Sequence, residues 1–167
     1  MKISGANILP VISSNMAKPA TDMNSTTPSG SRRLWLFLLV YPLHIFEEIR
    51  SVGAPHGINL SAKQFFILSG AAWLLLAIGI LLAQKFRFPQ LLEIVLGTVF
   101  VLNALSHIIN SIVIRGYDAG VITGTLIFIP LGVTSLIRLR NSMGRPRYCA
   151  AAGLGLAAQV IITLLAL

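Results

Sequence analysis

Two histidines and two adjacent glutamates are the residues here whose types and spacing can do chemistry. Tyr41-Pro42-Leu43-His44-Ile45-Phe46-Glu47-Glu48 sets one imidazole and two carboxylates into an otherwise apolar stretch. Residues three and four apart are neighbours on a helix, so His44 shares a face with Glu47 or Glu48, and Tyr41 lies one turn before it. Further along, Asn103, His107 and Asn110 recur at i, i+4 and i+7, which is again one helical face. His44, His107 and Glu48 offer two nitrogens and one oxygen, the ligand set of a hydrolytic zinc site with an open position. The same set suits non-haem iron. Glu47 would then be a general base acting on metal-bound water. Without a metal, a histidine and two glutamates can transfer or relay protons.

The elements that must position these groups are membrane helices. The chain has 167 residues, 55% hydrophobic and 11% charged, with mean hydropathy +0.81. A soluble domain carries about 25% charged residues, so the class is an all-α polytopic membrane bundle. Five transmembrane helices are expected, over about 33–52, 62–84, 90–114, 121–139 and 148–167. Residues 1–31 form a Ser/Thr/Pro-rich tail, read as disordered because it cannot bury enough apolar surface. Pro42 kinks the first helix and frees a carbonyl for a neighbour or water. Ser61 and Gln64 form a capping box before the second helix. Gly70, Ala71, Ala72 and Gly79 suit close packing there. Pro89 starts the third helix. Glu93 near its start reads as interfacial beside Arg87, and Thr123 stands near the start of the fourth. The fifth, rich in alanine and glycine and without charge, reads as a packing helix.

The net charge of +8 sits in short clusters beside apolar runs. That is the pattern of topology signals, so nucleic acid is excluded as a partner and membrane lipids are expected. Protein partners are not legible. Cys149 is the sole cysteine, which excludes a Cys-rich metal site. Ten of the 13 Lys and Arg residues fall on the side of the tail, the 85–89 loop and the 138–147 loop. The N-terminus is therefore expected in the cytoplasm, with a bacterial inner membrane as the simplest host. At 1.5 Å per residue, His44, Glu48, Asn103 and His107 lie between ~16 and ~26 Å from the cytoplasmic end of their helices. Thr123 enters from the opposite face. These positions converge in the outer half of a ~30 Å hydrocarbon core.

His44-Ile45-Phe46-Glu47-Glu48 resembles the motif that names the HXXEE-domain membrane proteins. The second histidine of that family is matched by His107. Its Tyr-x-Pro-Gly motif is matched by Tyr117-Asp118-Ala119-Gly120, with alanine in place of proline. The resemblance spans about Leu36 to Leu139. It implies a shared site and, because that family is of unknown function, leaves the reaction open.

Other readings compete with chemistry. His44 can be a histidine hydrogen-bonded inside the bundle, for instance to Asn103. Glu47 and Glu48 can lie at the helix end with Arg50 as partner. Asn103 and Asn110 can be interhelical glue, and Tyr117 an interface anchor. Three functions follow: a metal-dependent membrane enzyme acting on a lipid-like or membrane-embedded substrate, a metal-free proton-transfer protein, and a non-catalytic scaffold or lipid-binding protein.

Overall fold

A computed structural model describes residues 29–53 and 60–166, which are helical apart from their connections. Most of the expected tail, and His56 in the first loop, lie outside the described residues. Five long helices follow in order: α1 Ser29–Glu48, α2 Ala62–Lys85, α3 Pro89–Val113, α4 Val121–Leu139 and α5 Arg145–Ala166. Of these, α2 to α5 are the four long and apolar enough to cross a membrane. α1 carries Arg32, Arg33, Glu47 and Glu48 and falls outside that set, so length and composition support four spans rather than about five.

The chain is organised around α3, which touches every other long helix. Its faces feed distinct apolar clusters. Phe100 and Ala104 meet Phe37 of α1 and Phe128 of α4. Ile94 meets Leu139 of α4 and Ala151 of α5. Close approach is set by glycine. A Cβ on Gly132 would stand 2.7 Å from the Gly97 carbonyl oxygen, and one on Gly155 would stand 2.7 Å from that of Val95. Helices in lipid gain little from burial and associate through such tight contacts. The expected small-residue face of α2 does not work this way, since nothing lies within 4 Å of a Cβ on Gly70 or Gly79. α2 packs on α1 through Ile80 and Ala83 instead.

Proline shapes two of the helices. Pro42 has no N–H to give to the carbonyl of Leu38, four residues earlier. The indole N–H of Trp73, on α2, donates to that carbonyl at 3.1 Å. The kink thus becomes a point of attachment between α1 and α2. Trp73→Phe keeps an aromatic ring and removes the donor. We expect it to lower stability by about 1–2 kcal/mol, the cost of a hydrogen bond left unmade. The readout is a lower melting temperature in detergent with unchanged helix content; an unchanged melting temperature would mean that the indole bond is not holding the kink. In α4, residues Gly124–Phe128 form a π turn that the sequence does not announce. It precedes Pro130, whose ring would otherwise press on the Leu126 carbonyl. π turns are frequent at functional sites.

One boundary and the placement of one residue differ from expectation for local reasons. α1 stops at Glu48 rather than near Val52, because a tight turn over Ile49–Ser51 follows and the Ser51 hydroxyl donates to the Glu48 carbonyl at 2.7 Å. Arg138 belongs to the last turn of α4, not to the loop beyond it. Its Nη2 donates to both oxygens of fully buried Glu93, at 2.6 and 2.7 Å. The expectation of an interfacial Glu93 beside Arg87 is therefore corrected: a buried carboxylate needs a charged partner, and α4 supplies it. The capping box is formed, with Ser61 and Gln64 bonded reciprocally, and Pro89 opens α3.

Candidate metal centre

α1 delivers His44 and Glu48 on one face, α3 delivers His107, and the segment 117–123 closes over them. The imidazole rings of His44 and His107 stand 5.1 Å apart, nearly edge to face. Phe128, placed by the π turn, lies 4.4 Å beneath His44 and stacks on Phe100. The floor is aromatic and buried, and the polar atoms all face one another.

The hydrogen-bond donors assign the protons. Glu47 accepts from four groups: the Tyr117 hydroxyl at 2.7 Å, the Ile122 amide at 3.0 Å, the Thr123 amide at 2.8 Å and the Thr123 hydroxyl at 2.6 Å. The only proton of the Thr123 hydroxyl is therefore given to Glu47. His44 Nδ1, 2.7 Å from the same hydroxyl oxygen, must be the donor in that contact. On the other ring, His107 Nδ1 donates to Asp118 Oδ2 at 2.7 Å, while Asn110 Nδ2 donates to Asp118 Oδ1 at 2.8 Å.

With both Nδ1 atoms protonated, a neutral ring presents a lone pair at Nε2. Both Nε2 atoms are turned to one oxygen, Glu48 Oε1, at 3.2 Å from His44 and 3.1 Å from His107. The three ligand atoms lie within 4.8 Å of one another. A tetrahedral ion with 2.0–2.1 Å bonds separates its ligands by about 3.3 Å, close to both histidine–glutamate spacings. Each histidine also has the outer partner typical of a metal ligand, a carboxylate for His107 and a hydroxyl for His44. The group therefore fits a metal ion by atom type, spacing and orientation.

Of the residues expected to support the centre, Asn103 donates to His44 Nε2 at 2.8 Å. Asn110 holds Asp118. Thr123 and Tyr117 hold Glu47, so the alternative of an Arg50 partner for Glu47 is replaced. Partial desolvation and the charge of Glu47 push the Tyr117 hydroxyl up to about 12, which keeps it a donor. Tyr41 packs its ring beside the Phe37–Phe100 cluster and makes no hydrogen bond among the described residues.

Three further residues join the site: Asp118 and Gly120, to which the Tyr117–Gly120 motif gave no individual role, and Gln159 of α5. Asp118, read as part of a turn, is buried and fixes His107. The available signal was scarcity, since it is one of only five acidic residues in the chain. Gly120 has φ +107°, and a Cβ there would stand 2.7 Å from His107 Nε2. Gln159 of α5 donates to Asn103 Oδ1 at 3.3 Å, so α5 does more than pack.

No curated protein and no solved structure matches this chain. A family model described as a protein of unknown function with HXXEE motif matches residues 35–135, which hold His44, Glu47, Glu48, His107 and the loop that orients them, and the chain belongs to that family.

Proposed function

We propose that the protein is a metal-dependent membrane enzyme whose His44, Glu48 and His107 hold a divalent ion, zinc or iron. The observation that carries this reading is the convergence of three acceptor atoms, with both histidine protons committed to the far side of their rings. A cation completes such a set. Three protein ligands leave a position for water or substrate, and the ion would supply Lewis-acid activation there. Thr123 and Asp118 orient the two imidazoles. Glu47, with four donors on its carboxylate, suits the holding of Thr123 and the start of α4 better than proton abstraction. We place α1 in the bilayer as a fifth span, the N-terminus in the cytoplasm of a bacterial cell and the site in the outer leaflet. That location favours a lipid-like or membrane-embedded substrate. Elemental analysis of protein purified in mild detergent without chelator tests the metal. We expect near-stoichiometric zinc or iron in the wild type and almost none in His44→Ala or His107→Ala. A folded wild type without metal ends this reading.

One observation favours a metal-free alternative. Asn103 Nδ2 lies nearer to His44 Nε2 than Glu48 does, and so caps the same lone pair. Glu47, Thr123, His44, Glu48, His107 and Asp118 then form a continuous polar chain suited to proton transfer.

A further inference from the structure

Asn103 stands where an ion on His44 would have to meet it. Its Nδ2 donates to His44 Nε2 at 2.8 Å, nearer than Glu48 Oε1 at 3.2 Å. A cation on that lone pair must displace the N–H, because an amide NH₂ is a donor and cannot face positive charge. The other end of the same amide, Oδ1, accepts from Gln159 Nε2 at 3.3 Å. Gln159 is 5% exposed. Its Nε2 also donates to Thr163 Oγ1 at 3.3 Å, and its Oε1 is buried with no hydrogen-bond partner among the described residues. The two ends of a primary amide have nearly the same shape, so a half-turn exchanges oxygen for nitrogen with little movement of the neighbours. When both amides make that turn, Asn103 Oδ1 faces His44 Nε2 and Asn103 Nδ2 donates to Gln159 Oε1. Gln159 then leaves Nε2 rather than Oε1 without a partner. One end of Gln159 is unpaired in either arrangement, so hydrogen bonding locks the pair in neither.

We propose that Asn103 is a fourth protein ligand of the ion, through Oδ1, and that Gln159 is the positioning residue that receives the turned Nδ2. The proposal rests on the metal reading above and adds a ligand and a coordination number to it. A bare lone pair on His44 Nε2 is satisfied by the Asn103 N–H; a cation at that point calls for the Asn103 oxygen instead. The spacing agrees. An octahedral ion with bonds of about 2.1 Å sets neighbouring ligands about 3.0 Å apart. The amide end of Asn103 stands 2.8 Å from His44 Nε2, and Glu48 Oε1 stands 3.2 and 3.1 Å from the two imidazoles. Four protein ligands on a six-coordinate ion leave two positions for water or substrate, whereas they would close a tetrahedral zinc site. The centre therefore suits iron(II) better than zinc, and α5 helps to set it through Gln159.

The test titrates cobalt(II) into the full-length protein in mild detergent. It follows affinity and the visible spectrum, which reports the atoms bound to the ion. Asn103→Ala should lower affinity roughly 10- to 100-fold and shift the spectrum. Gln159→Leu strands the turned Nδ2 and should lower affinity in the same range. Asn103→Asp keeps an oxygen for the ion and should bind at least as tightly as the wild type. Where Asn103→Ala fails to fold, Gln159→Leu and Asn103→Asp still decide the matter. If Asn103 only caps the lone pair, the sign reverses, since loosening the cap frees His44 for the ion. Equal or tighter binding in Asn103→Ala or Gln159→Leu therefore overturns the proposal, as does a wild-type spectrum in Asn103→Ala. Cobalt bound by the wild type and lost in His44→Ala keeps the metal reading when the Asn103 proposal fails, and a folded wild type that binds no cobalt ends both.

Discussion

Gly120→Ala is expected to lower metal affinity roughly 10- to 100-fold, the range seen when the outer support of a ligand is lost. Two independent effects act at this position. The backbone stands at φ +107°, where a side chain adds strain of about 1–3 kcal/mol. The added Cβ would also fall within 2.7–2.9 Å of three atoms of the His107 ring, closer than real Cβ contacts come. His107 cannot retreat freely, because Asp118 holds Nδ1 on one side and Glu48 meets Nε2 on the other. The ring must turn, and both contacts lengthen together. Gly116→Ala is the control. It lies in the same loop, and its Cβ would meet only Ile114, at 3.7 Å and beyond. Metal content and melting temperature measured for both variants separate a specific effect from general loosening of the loop. Wild-type metal affinity in Gly120→Ala would show that the loop does not set the His107 ring.

What could be read from the sequence followed from periodicity. His44 and Glu48 are a helical i, i+4 pair, and Asn103, His107 and Asn110 form one stripe, so both halves of the centre are visible in the residue order alone. Their meeting follows from matched depth in helices joined by short loops. Asp118, Gly120 and Gln159 do not follow in this way. Asp118 and Gly120 sit in a turn, where no period relates a residue to its contacts. Gln159 is a single amide on a helix whose alanine and glycine content points to packing, and its tie to Asn103 depends on how closely Gly155 lets α5 approach α3. The partner of Glu93 was hidden for a related reason. Arg138 follows it by 45 positions, and only the packing of α4 along α3 brings the two together.

The adjacent carboxylates Glu47 and Glu48 should part company completely on substitution. Successive helical positions point about 100° apart, so the two residues that flank the His44 face turn to different neighbours. Glu48 turns to His44 and His107. Glu47 turns to the start of α4, where amide N–H groups have no partner within the helix and a carboxylate is favoured. Glu47→Ala leaves two amides and two hydroxyls without their acceptor, so a loss of more than about 3 kcal/mol is expected. The protein should melt far below the wild type or fail to accumulate. Glu47→Gln keeps the shape but sets an amide NH₂ against donors, and should recover only part of that stability. Glu48→Gln removes a charge that mainly repels neighbouring lone pairs when no cation is bound. Its stability should stay within about 1 kcal/mol of the wild type, while metal content falls to background. The measurement is a paired series of melting curves and metal contents across the variants. The opposite pattern, a fragile Glu48→Gln beside a stable, metal-free Glu47→Gln, would reverse the assignment of ligand and clasp. A uniform loss of stability with metal retained in every folded variant would instead make the pair a packing device, and the polar chain from Glu47 to Asp118 a lock between helices rather than a centre for chemistry.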